Sequence, residues 1–320
     1  MDTLPIAFRN LNTIIMKKII IAGGTGFLGN VLIDYFKDHA QHIIVLTRGK
    51  TVQRENIKYV NWDAKNLTGW ETHLENAEVL INLVGKSVDC RYTQKNKTEI
   101  LNSRIESTLL LQSALEKCSN PPALWLNAST ATIYKHSETV AMNETSKEIG
   151  DDFSMTVAKK WETAFFKHSL QNIRKVALRT SIVLGKNGGA FIPLKILTYT
   201  GFGGKQGKGN QMVSWLHEND FARIVSYIIK NQEIKGVVNV TAPEPITNKH
   251  FMKTLRSVLK IPFGINMSQI LLEIGAFFGR TETELILKSR YVVPAKLQDS
   301  GYEFKYPSIQ QAIKQLVQKN

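Results

Sequence analysis

The chain has 320 residues, 43% of them hydrophobic, which is ample for a sizeable core in one large or two unequal domains. Its two cysteines, Cys90 and Cys118, form no CxxC pair and stand in no His/Cys cluster, which argues against a zinc site or a disulfide framework and fits a reducing cytosol. The net charge of +14 comes from scattered lysines with no basic block, so a Lys-rich solvated surface around a phosphate-binding pocket is expected rather than a nucleic-acid site.

The first fifteen residues, MDTLPIAFRNLNTII, lack the basic start and long apolar centre of a secretory signal and read as a short extension, residues 1–15, ahead of Met16. From Met16 strand and helix patterns alternate. KIIIAG is a β-branched run suited to a strand buried on both faces, and NVLIDYFKDH has helical spacing. Strands are then expected at HIIVLTR, IKYVNW and EVLINLVG, followed by the long helix TEILNSRIESTLLLQSALEKC. ALWLNAST reads as a strand, FSMTVAKKWETAFFKHSL as a helix, and RKVALRTSIVLG and GVVNVTAP as two further strands. Such alternation predicts an α/β fold, a Rossmann-type doubly wound parallel sheet over residues 16–245. From about Ile246 the pattern is mostly helical and predicts a smaller C-terminal cap, residues 246–320, which ends on a helix capped by Ser308 with Ile309, Ile313, Leu316 and Val317 on one face. No run is long enough to span a bilayer; ILLEIGAFFG is short and carries Glu273. A cytoplasmic protein without a membrane partner is expected, its oligomeric state left open.

The first strand runs into Gly23, Gly26 and Gly29, with Thr25, Phe27 and Leu28 between them. Glycines permit a tight turn and let a ligand approach the backbone. A helix starting inside that turn offers free N–H groups and a partial positive charge to an anion, and a pyrophosphate is the natural occupant. The residue that reads the adenosine ribose should end the second strand, where Asp or Glu marks NAD. Here Thr47 and Arg48 stand instead. An acid would repel a 2′-phosphate and an arginine can clamp one, so NADP(H) is expected over NAD(H). Asp63 either accepts from the adenine amino group or belongs to a turn. Asn82, Leu83, Val84 and Gly85 end a strand where the ribose and nicotinamide would lie close to the backbone.

GGTGFLG, NLVG, NASTATIY, LRTSIVLG and SWLHENDFARIV together resemble the extended short-chain dehydrogenase/reductase superfamily. NSRIEST, GKNGGAF, GFGGKQGKGNQMVSWLH and VVPAKLQDSGYEFKYPSI narrow the resemblance to its atypical, epimerase-like branch with a C-terminal cap. The resemblance implies NAD(P) chemistry by a quartet of Asn, Ser or Thr, and Tyr-x-x-x-Lys, in which Tyr moves the proton and Lys lowers its pKa. Carried over residue by residue, Thr130 falls at the Ser/Thr place, with Ser129 beside it. The expected helix has no tyrosine: Phe153 or Ser154 stands there, and neither Lys159 nor Lys160 has a tyrosine four residues before it. Arg104 replaces the quartet's Asn.

Substitutes for the missing proton donor are Tyr134, against a packing tyrosine, and His217, against a hydrogen-bonded structural histidine. Asp220 is expected as a cap or first-turn acid, and Trp161 and Glu162 as buried support. Arg104 pairs with an acidic substrate group or with an internal carboxylate. The glycine-rich stretch from Gly201 to Gln211 reads as a lid or as a mobile connector, and as a lid its Lys205 and Lys208 would favour an anionic ligand. Two functions follow: an oxidoreductase or epimerase-like enzyme with a non-standard acid/base group, acting on a small molecule, or a non-catalytic NADP(H)-binding redox sensor.

Overall fold

The structure, a computed structural model, describes residues 16–279 and 282–318; the extension at 1–15 lies outside them. In chain order the strands are β1 (Met16–Ala22), β2 (Ala40–Thr47), β3 (Val52–Arg54), β4 (Ile57–Asn61), β5 (Val79–Asn82), β6 (Leu124–Thr130), β7 (Arg174–Thr180), β8 (Ile182–Leu184), β9 (Met212–Val213), β10 (Trp215–His217), β11 (Gly236–Val240) and β12 (Ile246–Thr247). The helices are α1 (Phe27–Phe36), α2 (Gln94–Leu115), α3 (Phe153–Phe166), α4 (Phe191–Leu197), α5 (Glu218–Lys230), α6 (Asn248–Leu259), α7 (Gln269–Gly279), α8 (Glu284–Leu287), α9 (Ala295–Asp299) and α10 (Ile309–Val317).

Eight strands form one sheet in the order β11-β7-β6-β5-β1-β2-β4-β3, parallel except for β3, which pairs antiparallel with β4. Both faces are covered, as the apolar runs require. Ile19 and Ile21 of β1 enter one layer with Leu32 and Phe36 of α1 and Phe221, Ile224 and Ile228 of α5. Ile20 and Ala22 enter the other with Leu111 and Leu115 of α2 and Phe165 of α3. Strand order runs outward in both directions from β1 and β5, so the crevice beyond their carboxyl ends is the ligand-binding position of a doubly wound sheet. A further core joins Leu184, Phe191 and Trp215 to α6 and α10. Ser308 caps α10 by accepting from the Gln311 N–H. Among the described residues no helix is long and apolar enough to cross a membrane.

Three features depart from the sequence pattern. RKVALRTSIVLG is two strands, because Ser181 donates its N–H to Val240 O (3.1 Å) while Ile182 turns away to pair beside Ser214, so β8 joins β10 in a separate ribbon. Strand β3, VQR, has no apolar signal, since all three residues are exposed at the sheet edge. The glycine-rich stretch is held by backbone and side-chain bonds in this structure. Gly204 N donates to Ile265 O (3.1 Å), Gly207 N to Met267 O (2.8 Å), Gln206 N to Asn248 Oδ1 (2.8 Å), and Gly209 O accepts from Lys249 N (2.9 Å). The segment is strapped across the start of α6 and the strand-like residues before α7.

Candidate nucleotide-binding and reaction site

The glycine corner is built by exclusion of side chains. Gly23 has φ +74°, and a Cβ there would lie 3.0 Å from Val84 N, so the end of β1 touches the end of β5 through this glycine. A Cβ on Gly29 would fall inside the Gly24 carbonyl, so α1 settles against its own turn only because position 29 is bare. Gly26 caps α1 in an extended conformation with no side-chain cap bond, and around its Cβ position the nearest atom is 3.8 Å away. The first turn of α1 has no side-chain cap at the switch point, which leaves its N–H groups to a ligand such as a pyrophosphate. Thr25 is exposed there, and Phe27 and Leu28 are half-buried. Gly24, outside the three-residue spacing, also contributes: a Cβ on it would lie 2.8 Å from Val45 Cγ1.

The Phe27 ring occupies a socket made by a second glycine group. A Cβ on Gly185, Gly188 or Gly189 would strike that ring, the last at 2.8 Å. GKNGGAF thus has a packing reason that its composition does not disclose.

At the end of β2, Thr47 Oγ1 accepts from Gly49 N (3.3 Å), and Arg48 is exposed with no carboxylate partner among the described residues. Asp63 follows its turn reading. Its Oδ1 accepts from Lys65 N (2.8 Å) and Asn66 N (2.9 Å), its Oδ2 from Asn66 Nδ2 (2.7 Å), and these bonds hold its carboxyl below the usual range. Both oxygens serve the local loop, which is why the adenine role has no geometric support. Asn82 acts from beneath: Nδ2 donates to Asn127 Oδ1 (2.7 Å) and Oδ1 accepts from Val84 N (3.1 Å). It shapes the Val84–Gly85 backbone rather than lining the crevice. Leu83 and Val84 anchor in opposite core layers.

Arg104, on α2, covers the exposed Gly85: a Cβ there would lie 2.9 Å from its Cζ. Its Nη1 donates to Lys86 O (3.0 Å) and Ile100 O (2.9 Å), and its guanidinium lies 5.1 Å from the Trp161 ring centre. Burial lowers its pKa to about 10. Of the two readings of Arg104, an internal carboxylate is not found among the described residues.

The candidate acid/base groups are largely consumed by the fold. Thr130 Oγ1 caps the turn that follows β6, accepting from Thr132 N (3.2 Å), and remains half-buried. Ser129 Oγ donates to Glu162 Oε1 (2.5 Å), and Arg179 grips Glu162 through Nε (2.8 Å) and Nη2 (2.7 Å). Arg179 Nη1 also donates to the Tyr134 hydroxyl (2.8 Å), which in turn donates to Asn239 Oδ1 (2.9 Å). Tyr134 is fully buried and its pKa is raised, chiefly by burial. Its hydroxyl is a strut of this network, which counts against the proton-donor reading. His217 is fully buried as well: Nδ1 accepts from Asn219 N (3.0 Å) and Nε2 bonds Gln315 Oε1 (2.8 Å), so it is the N-cap of α5. Burial lowers its pKa to about 4, and it faces α10 rather than the crevice. Trp161 donates to Thr108 Oγ1 (3.1 Å), and with Glu162 it takes the supporting role expected of both. Lys205 is half-buried and packs along Gly209.

The sequence pattern did not single out Tyr92, whose ring stands edge-on to Phe153 at 4.9 Å and whose hydroxyl is buried without a partner. Phe153 opens α3, where the superfamily tyrosine would stand.

A doubly wound parallel sheet with a bare glycine turn at its switch point defines a dinucleotide-binding protein of the Rossmann type. The chain belongs to the NAD dependent epimerase/dehydratase family, which it matches over residues 19–241, and it is an NAD(P)-binding, epimerase-like member of the extended short-chain dehydrogenases/reductases. Residues 267–316 match a domain of unknown function, DUF1731. It is 34% identical to the epimerase family protein YfhF of Bacillus subtilis, over 94% of this chain and 98% of that one. It is 32% identical to the epimerase family protein SAR0825 of Staphylococcus aureus, over 95% and 100%. Its fold resembles that of the human epimerase family protein SDR39U1, solved with NADPH, at a TM-score of 0.83 and 27% identity, covering 93% of this chain and 98% of that one. A nucleoside-diphosphate sugar epimerase of Corynebacterium glutamicum matches at a TM-score of 0.75 and 26% identity, over 94% of this chain and 58% of that one.

Proposed function

We propose that the protein is a cytoplasmic, NADP(H)-dependent oxidoreductase or epimerase-like enzyme acting on a small molecule, with residues 16–245 holding the coenzyme and residues 246–320 closing over the substrate. The observation that carries the coenzyme preference is Arg48: an exposed cation at the ribose-reading end of β2, with no carboxylate partner among the described residues and no acid beside it. The bare α1 terminus would hold the pyrophosphate, Arg48 and Thr47 the 2′-phosphate, and the Val84–Gly85 backbone the nicotinamide end. The nicotinamide, when bound, supplies or accepts a hydride. The NADPH found with the human relative supports this reading. In this reading Thr130, which the superfamily pattern puts at the Ser/Thr place, would meet a substrate oxygen. The sensor alternative draws its support from Tyr134 and His217, both spent on structure.

Titration of purified protein with NADPH and NADH tests the preference. Losing a charge-assisted phosphate clamp costs about 1.5–3 kcal/mol, so Arg48→Asp should weaken NADPH roughly tenfold to a hundredfold and NADH little. Equal wild-type affinities would remove the NADP assignment. NADPH oxidation over a panel of aldehydes, ketones and nucleotide sugars separates enzyme from sensor: turnover lost in Thr130→Ala supports the enzyme, and tight coenzyme binding with no turnover supports the sensor.

A further inference from the structure

Two stretches of the chain carry positive charge with no acid among them. Residues 187–217 and 245–272 contain no Asp or Glu, yet the first holds Lys195, Lys205 and Lys208 and the second Lys249, Lys253, Arg256 and Lys260. None of these seven cations pairs with a carboxylate among the described residues. The fold fastens the two stretches to each other. Ile265 N donates to Gly201 O (2.8 Å), Met267 N to Lys205 O (2.9 Å), and Arg256 Nη1 to Gly203 O. Lys205 and Lys249 both abut Gly209, where a Cβ would sit 3.1 Å from the first and 3.3 Å from the second. Lysines scattered along the sequence are thereby gathered.

The same segments expose large apolar side chains. Tyr199 and Phe202 stand out from the turn after α4, Phe263 and Ile265 from the loop after α6, and Ile270, Leu271 and Ile274 from α7. Phe263 is 72% exposed and Ile270 69%, so these side chains project instead of lining a groove. Leu272 and Ala276 of α7 face inward, as a surface helix requires, yet Ile270, Leu271 and Ile274 on its outward side are apolar as well. Glu273, the first acid after Glu244, is bonded to Gln269 (2.9 Å). The cleft at Ile261 and Pro262, just before Phe263, is otherwise lined by Lys253, Arg256, Ser257 and Lys260. Soluble chains seldom mass exposed apolar side chains in this way unless the patch meets another surface.

We propose that this face docks on an anionic lipid bilayer, where the protein lies peripherally with Phe263, Ile270 and Ile274 at the boundary of headgroups and acyl chains and its cations against lipid phosphates. A membrane partner was not expected from the sequence, and the inference stands independently of the coenzyme reading. A second copy of the chain fits the face poorly. A two-fold contact would set seven cations against seven with no acid between them, and like-charge juxtaposition opposes it. Nucleic acid would meet the cations but leave the apolar side chains in water. A bilayer surface answers both features, since it is negatively charged and admits projecting side chains without a matching pocket.

The full chain is sedimented with vesicles of phosphatidylcholine alone and of phosphatidylcholine with about one third phosphatidylglycerol, at low and high salt. Binding to the anionic vesicles is expected to be about tenfold stronger than to the neutral ones, and to fall severalfold between about 0.1 M and 0.5 M salt as the charges are screened. Lys253→Gln with Lys260→Gln should weaken anionic binding about tenfold, and Phe263→Ser with Ile270→Ser by at least as much. All four side chains are exposed, so the melting temperature should stay at the wild-type value. Phe263→Trp reads insertion directly: brominated acyl chains should quench its emission beyond that of wild type, whose five tryptophans are all buried. No vesicle binding, equal binding to both vesicle types, or anionic binding unchanged in Phe263→Ser with Ile270→Ser overturns the lipid surface. A dimer that this pair dissolves, with no vesicle binding by wild type, also overturns it and gives the face to a second copy.

Discussion

His217 shows how a titratable residue near a nucleotide site is absorbed by the fold. With Nδ1 accepting from Asn219 N, its proton sits on Nε2 and is donated to Gln315 Oε1, so the folded protein holds the neutral imidazole. Protonation would place a hydrogen where the cap bond is made. The folded pKa, about 4, lies below the ordinary 6.5, so the unfolded chain takes up the proton first as pH falls. The contribution of His217 is complete above about pH 6.5 and is lost progressively towards pH 4, amounting to about 2 kcal/mol by pH 5. Urea unfolding at pH 7 and pH 5 should show that loss in wild type and a smaller one in His217→Asn, which can still cap; equal losses would remove His217 as the cause. The sequence shows a histidine in WLHEND, yet its partner Gln315 is 98 residues away, so no local pattern could tell a cap from a catalyst. Asp63 is the opposite case, since its partners lie two and three residues on and its turn is readable from the residue type alone.

At the scale of elements, β1 and α1 follow from local chemistry. Three consecutive isoleucines fit only a strand buried on both faces, and the glycines after them permit the turn. Gly29→Ala sets two effects against each other. Alanine is about 1 kcal/mol better than glycine inside a helix. Its Cβ, however, would fall within the Gly24 carbonyl, and the backbone shift that relieves such overpacking costs about 1–3 kcal/mol. The clash should win, with a melting temperature lowered by several degrees and NADPH affinity reduced at least tenfold as the α1 terminus moves. Unchanged melting and affinity would mean that the corner is not as closely set as its geometry implies. The break between β7 and β8 was not legible, because TSIV is as good a strand as the residues before it; the hydrogen bond from Ser181 to Val240, 59 residues away, divides them.

At the scale of the molecule, Asp220 joins the sheet to the C-terminal region. It is fully buried in the first turn of α5, and its carboxylate accepts from Lys305 N (2.8 Å) and Tyr306 N (2.9 Å). Burial raises its pKa, and those two bonds with the nearby cations Arg223 and Lys305 oppose the rise. In Asp220→Ala both amides lose their acceptor, at about 1–3 kcal/mol each, and α10 loses its tether beside His217. Hydrogen exchange should quicken first at Lys305, Tyr306 and α10 while the β1 and β5 amides stay protected. Exchange that rises evenly over the whole chain would show that the two regions unfold as one, without a local hinge at Asp220.

Sequence alone determined the alternation of buried strands and covering helices, the glycine turn at the end of β1 and the cation that ends β2, because side-chain period, β-branching and glycine's conformational freedom act over a few residues. The tertiary structure decided what the candidate side chains do. Tyr134 is tied to Asn239, 105 residues on, and His217 to Gln315, 98 residues on. Whether a hydroxyl, an imidazole or a guanidinium is spent or free depends on which groups the fold brings to it, and that proximity is set by packing rather than by neighbouring sequence.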